Sequence, residues 1–150
     1  PRRDHVVYVT GVLSGPRFQS WLFPGVAETL QHLTDAGLYV GIIANTHVPG
    51  WVMDRNFRGV ELLQHFSDRV YSGDEGVEKP DPQIFRIAEQ RSQMVGKRLI
   101  YMGDRVDKDV TGAANAGWGS ILFRSVLSTS EGQATFEIDH WSELPDLLLS

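Results

Sequence analysis

Two acids, Asp104 and Asp109, stand five residues apart in the stretch LIYMGDRVDKDVTGAANAGWG, residues 99–119. The apolar run Leu99, Ile100, Tyr101, Met102 reads as a buried strand, and Gly103-Asp104 sets a carboxylate just past its carboxyl end. The small residues from Gly112 to Ala116 then make a slim helix, which Gly117 can close as a left-handed cap. In open α/β sheets, ligands gather at the carboxyl ends of the strands, where loop amides and helix N-termini also point. A pair of acids there suits Mg²⁺, a hard cation that takes oxygen ligands and keeps several waters. The same acids could instead do no more than cap the following helix.

Upstream, SGDEGVEKPDPQIF (residues 72–85) places Lys79-Pro80 in a loop, with Asp81 as N-cap and Pro82 at the first helical position. With this spacing, VEKPDPQIF and GDRVDKDVTGAANAGW resemble the third and fourth motifs of the haloacid dehalogenase-like (HAD) superfamily. The resemblance runs from about Val6 to Leu149. It implies an aspartyl-phosphate mechanism of Mg²⁺-dependent phosphatases, in which a first aspartate attacks phosphorus and a second protonates the leaving group. A lysine, here Lys79, neutralises phosphoryl charge, and Asp104 with Asp109 would be the metal acids.

The first motif departs from that pattern. HVVYVTGVL (residues 5–13), aligned on Gly11 and Leu13, has Tyr8 at the nucleophile position and Thr10 at the acid/base position. A phenol with an ordinary pKa of about 10 stays protonated near neutrality. Asp4 precedes the strand, at its wrong end. At the second motif, strand 38–43 leads into Ala44-Asn45-Thr46-His47. Asn45 fits the family's phosphoryl-holding position, Ala44 lacks the hydroxyl, and Thr46 could supply one two residues later. We therefore expect Asn45, Thr46 and Lys79 to be the phosphate-binding groups, and Asp104 and Asp109 a weak or vestigial metal site. No bound cofactor is expected, and Mg²⁺ only if the site still functions. Lys79 could pair with Asp104, and Asp109 could cap the next helix. His47 reads as a solvated loop residue, and Trp21 and Trp51 as flanks of the open face or edges of the core.

Composition narrows the class. A chain of 150 residues, 41% hydrophobic and 22% charged, suits one globular domain. We read residues 1–150 as a single HAD-like domain, which could be excised from a longer protein, since it begins at Pro1. A net charge of −5 argues against a general nucleic-acid surface. The absence of cysteine excludes disulfides and thiolate chemistry. No membrane-length apolar run or signal peptide is visible, so a cytoplasmic location is expected.

Strands alternating with helices predict a doubly wound parallel sheet, a Rossmann-type three-layer α/β/α fold. About five strands are expected, with the first central and Phe136 to Ile138 as an edge. Helices are expected over residues 26–36, 51–66, 81–95 and 141–149. Tyr8, Ala44, Lys79 and Asp104 should converge at one sheet edge. Neither gap between motifs has room for a cap domain, which by analogy implies an open, capless site suited to a large substrate or a partner surface. The leading functional expectation is a HAD-like domain that has lost phosphatase catalysis and serves binding, regulation or assembly. A protein partner or neighbouring domain goes with it, and a homo-oligomer is compatible. The alternatives are an active Mg²⁺-dependent phosphatase, including one acting on a macromolecular phosphate ester, and a purely structural oligomer domain.

Overall fold

The computed structural model describes residues 5–9, 23–124 and 134–150. Six parallel strands form one sheet in the order β3-β2-β1-β4-β5-β6. They are β1 (His5–Val9), β2 (Tyr39–Ala44), β3 (Asp68–Tyr71), β4 (Arg98–Gly103), β5 (Gly119–Phe123) and β6 (Phe136–Ile138). The first strand is central, as expected, and the 136–138 edge strand makes the sixth.

Alternating side chains divide the core into two layers, because successive residues of a strand face opposite sides. Val7, Val9, Val40, Ile42 and Met102 pack under α1 (Val26–Asp35), α2 (Gly50–Gly59) and α6 (Leu144–Leu149). Tyr8, Ile43, Leu99 and Tyr101 pack on the other side under α4 (Pro82–Ser92) and α5 (Thr111–Asn115). A short helix, α3 (Ser72–Glu75), follows β3 directly. Covering both faces explains the near-continuous apolar runs of β2 and β4.

The helices depart from their sequence spans at several points. A 3-10 turn covers Trp141–Glu143, so α6 starts only at Leu144 rather than at residue 141. α2 stops at Gly59 rather than running to Phe66; Glu61 takes a φ of 60°, and a separate 3-10 turn covers Leu63–His65. α4 ends where Gln93 turns left-handed with a φ of 57°. A π-helical turn, Val106–Val110, precedes α5. Residues 46–68 are thus α2, a 3-10 turn and the start of β3, whereas the gap from residue 10 to residue 22 lies outside the described residues.

Candidate active site

Lys79 lies at the carboxyl edge of the sheet, on the loop between α3 and α4, and its side chain is only 5% exposed. Its Nζ donates to Asp109 Oδ1 and to the Tyr101 hydroxyl, each at 2.7 Å. The Tyr101 hydroxyl in turn donates to the Ile43 carbonyl at 2.8 Å. An ammonium has three N–H donors. Two are fixed by protein, and the third is the one that could meet a ligand oxygen.

Asp109 sits in the π-helical turn, its side chain 2% exposed. Its second oxygen, Oδ2, accepts from the Arg105 amide at 3.0 Å, which closes the turn after β4. A Cβ on Gly103 would come 2.2 Å from Asp109 Oδ2, so glycine is what lets that carboxylate fold back against the strand end. The expected partnership is therefore corrected. Lys79 pairs with Asp109 rather than Asp104, and Asp109 braces the turn before α5 instead of capping that helix. Asp104 stands half-buried just past β4.

The β2 end is tied to the same loop. Asn45 forms a two-way amide pair with the Lys79 backbone: Nδ2 donates to Lys79 O at 3.0 Å, and Lys79 N donates to Oδ1 at 2.9 Å. Both polar atoms of Asn45 thus position the Lys79 loop. Thr46 Oγ1 accepts from Val48 N at 3.1 Å, so its hydroxyl belongs to its own turn. The Thr46 amide donates to Ser72 Oγ at 2.8 Å, and Ser72 Oγ donates back to Thr46 O at 3.2 Å. Of the three expected phosphate-binding residues, Lys79 and Asn45 Nδ2 each keep one N–H with no partner among the described residues, while the Thr46 hydroxyl is spent within its own turn.

Tyr8 does not join this edge. It is fully buried, and its ring lies 5.4 Å from that of Trp118. The hydroxyl donates to Asp68 Oδ2 at 2.7 Å, reaching it across Gly41, where a Cβ would meet the ring at 2.4 Å. Burial, and then the Asp68 carboxylate, push the phenol far above its ordinary range. Register explains the failed convergence. Tyr8 pairs with Gly41 and Tyr101, three and two residues short of Ala44 and Gly103, and it faces the α4 layer. Thr10 lies outside the described residues.

His47 is exposed, as a loop histidine should be. Trp51 is 66% exposed at the start of α2, so it is not a core edge; Trp21 lies outside the described residues. Tyr101 and Ser72 had no role in the sequence reading. The available signal for Tyr101 was a hydroxyl in an otherwise apolar buried run, since buried Tyr O–H groups usually have a partner.

A hard cation fits this edge only in part. Asp109 is a poor ligand as placed, because it is 2% exposed and its two oxygens already accept from Lys79 and the Arg105 amide. Asp104 remains, and Mg²⁺ is commonly held by one or two carboxylates together with substrate phosphate. Among the described residues, no three acids or histidines cluster to hold a metal.

The fold and this edge define a known class. Residues 17–117 match the family of haloacid dehalogenase-like hydrolases, and the chain belongs to it. It is 33% identical over 135 residues to a glyceraldehyde 3-phosphate phosphatase of Methanothermobacter thermautotrophicus, covering 84% of this chain and 58% of that protein. A phosphoserine phosphatase of Thermus thermophilus is 33% identical over 114 residues, covering 76% of this chain and 45% of the other. Among solved structures, a 2-haloacid dehalogenase from Pseudomonas syringae superposes with a TM-score of 0.74 at 27% identity, over 88% of this chain and 55% of that one. An uncharacterized protein from Listeria monocytogenes shares the fold along nearly its whole length, with a TM-score of 0.83 at 20% identity and coverage of 97% and 96%. The chain spans about half the length of the curated relatives it matches. Among the described residues, no helix is long and apolar enough to cross a membrane.

Proposed function

We propose that this chain carries the phosphoryl-holding part of a phosphate-ester hydrolase. The observation that carries the reading is Lys79, a buried ammonium braced by Asp109 and Tyr101, with a third N–H that meets no partner among the described residues. A fixed cation with no reorganisation to make is what stabilises charge developing on a transferring phosphoryl group. Asp104 would hold Mg²⁺, which when bound neutralises phosphate charge and orients the ester. Hydrolysis breaks the P–O bond to the alcohol, which leaves protonated, while the oxygen of water ends on phosphate. The relatives named as phosphatases support this over a domain that has lost catalysis.

One observation favours the second reading. Tyr8, at the position the resemblance gives to the nucleophile, is locked in the core, and none of the residues from Val7 to Val9 offers a carboxylate. Covalent catalysis of the implied type needs one.

Turnover of p-nitrophenyl phosphate by the protein, with and without Mg²⁺, separates the two. The hydrolase reading expects Mg²⁺-dependent release of phosphate, lost in Asp104→Asn and reduced at least about a hundredfold in Lys79→Met. A folded protein with no turnover above buffer would overturn it in favour of a binding module.

A further inference from the structure

The face of α2 that points away from the core carries Trp51, Arg55 and Arg58, spaced i, i+4 and i+7, and all three are exposed. At 66% exposure, Trp51 is an unusual surface residue, and Val48 beside it is 38% exposed. Most arginines of the described residues are neutralised: Arg69, Arg86, Arg91, Arg105 and Arg124 each hold an acid. Arg55 and Arg58 have no ion pair or hydrogen bond among the described residues. In a chain of net charge −5, the stripe itself carries two positive charges; of the acids nearest in sequence, Asp54 is held by Arg69 and Tyr71, and Glu61 stands exposed past the helix end.

The stripe begins on a fixed platform. Gly50 N donates to Asp74 Oδ1 at 2.9 Å, and the Thr46 amide to Ser72 Oγ at 2.8 Å, so α3 ties down both ends of the 46–50 loop. The residue before that loop, Asn45, is bonded to the Lys79 backbone. The helix rises about 1.5 Å per residue, so the guanidiniums follow Trp51 over about 10 Å, leading away from the strand edge. Trp and Arg are the residues enriched in the anchor positions of protein interfaces, and arginine clusters recognise acidic motifs.

We propose that this face of α2 docks an acidic protein segment, with an apolar side chain on Trp51 and Val48 and carboxylates on Arg55 and Arg58. The segment then leads a phosphorylated side chain into the Lys79 edge. The inference rests on the phosphate-ester reading for what happens at that edge, and on the stripe alone for the docking. A mononucleotide stacked on Trp51 could set its one phosphate on Arg55 but would leave Arg58, two turns from Trp51, without a second anion, so it is the weaker occupant.

Fluorescence anisotropy with a labelled peptide carrying one phosphoserine, one phenylalanine and four glutamates tests this, beside its unphosphorylated form and a version with glutamine for glutamate. Both acidic peptides should bind, with affinity falling as NaCl is raised. Arg55→Glu/Arg58→Glu should weaken binding at least about tenfold and Trp51→Ala about fivefold, with melting temperatures unchanged because all three side chains are exposed. The glutamine peptide should bind the wild type as weakly as the acidic peptides bind the double variant. Equal binding by wild type and variants, or no binding by the wild type at submillimolar peptide, would overturn the proposal. So would AMP binding as tight as that of the acidic peptides and lost in Trp51→Ala, whether or not it also depends on the arginines. Turnover of p-nitrophenyl phosphate without peptide binding would sink the docking and leave the hydrolase standing. Stripe-dependent binding without turnover would do the reverse.

Discussion

Removing the charge of Asp109 should show how the candidate site is held. Lys79 Nζ and Asp109 Oδ1 are 2.7 Å apart, with side chains 5% and 2% exposed. At an effective dielectric of about 20, their attraction is on the order of 6 kcal/mol. Desolvating two ions costs several kcal/mol each, so the intact pair contributes little net stability. Breaking it leaves that penalty unopposed. Asp109→Asn keeps an acceptor for the Arg105 amide and leaves Tyr101 on Lys79, which places its cost at the low end of the usual range, about 3 kcal/mol. Lys79→Met strands a buried carboxylate and should cost about 3–5 kcal/mol. The double variant has no buried ion, and should lose only about 1–2 kcal/mol from broken hydrogen bonds. Urea unfolding followed by circular dichroism gives each value by linear extrapolation. For a domain of this size, a loss of 3 kcal/mol appears as a drop of about 6–12 °C in melting temperature. Single costs that simply add in the double variant, within about 0.5 kcal/mol, would show that the pair is not coupled and refute the reasoning.

Gly103→Ala must displace the Asp109 carboxylate, and should destabilise by about 1–3 kcal/mol while weakening any phosphate binding that depends on Lys79. Tyr8→Phe should cost about 1–2 kcal/mol through the lost bond to Asp68 and leave ligand binding at the sheet edge unchanged, as read by unfolding and calorimetry. Tyr8→Asp should lower the melting temperature sharply and confer no turnover, because the new carboxylate would lie in the α4-side core rather than at the edge. His65 is buried and its pKa is lowered by desolvation, with the Asp35 charge opposing this. The unfolded chain therefore takes up this proton first as pH falls. The His65 contribution to stability is full above about pH 6.5 and is lost below it, down to the folded-state pKa. His65→Gln should flatten that part of a stability-versus-pH curve, and an unchanged slope would refute the assignment.

The central strands were legible in the sequence because β1, β2, β4 and β5 are largely apolar runs, whereas β3 (DRVY) and β6 (FEI) are short edge strands carrying charged residues; of the helices, α4 carries its own side-chain cap. Asp81 caps α4 through Gln83 N, with Pro82 behind it, as its sequence position implies. The truncation of α2 was not legible. Gly59 marks a stop, but the apolar Leu62, Leu63 and Phe66 continue a helical spacing that the 3-10 turn satisfies equally well. At the site, Lys79, Asp104 and Asp109 were legible as types and as a location, but their pairing was not. Which acid meets the lysine depends on the π-helical turn, which folds Asp109 back over Gly103, and no local pattern in VDKDV announces an inserted residue. Tyr8 was misplaced for a related reason. Aligning on Gly11 and Leu13 fixes position along the chain, whereas the face a strand residue takes depends on the pairing of β1 with β2 and β4.

That register also separates the role of β1 from that of the other strands. Among the described residues, the candidate edge is assembled by the segments just after β2, β3 and β4: Asn45 and Thr46, Ser72 and the Lys79 loop, then Asp104 and Asp109. Each link joins two of these segments. Asn45 ties the β2 end to Lys79, Ser72 ties the β3 end to Thr46, and the Lys79 side chain ties the same loop to Tyr101 and Asp109 on the β4 side. Tyr8 reaches Asp68 at the start of β3, so among the described residues β1 contributes to the core beneath the edge rather than to the bonds that link Asn45, Ser72, Lys79 and Asp109. A Lys79 cradle built this way keeps its geometry whatever residue stands at position 8, provided the core fills. Substitutions at Tyr8 should therefore act on stability, and substitutions at Asn45 on the placement of Lys79. Asn45→Ala removes both bonds to the Lys79 backbone and should weaken phosphate binding while leaving the Lys79–Asp109 coupling measurable. Asn45→Asp keeps the acceptor for Lys79 N and should recover part of that loss. Equal phosphate affinity in Asn45→Ala and wild type would show that the loop holds itself, and that the tie between β2 and Lys79 is incidental.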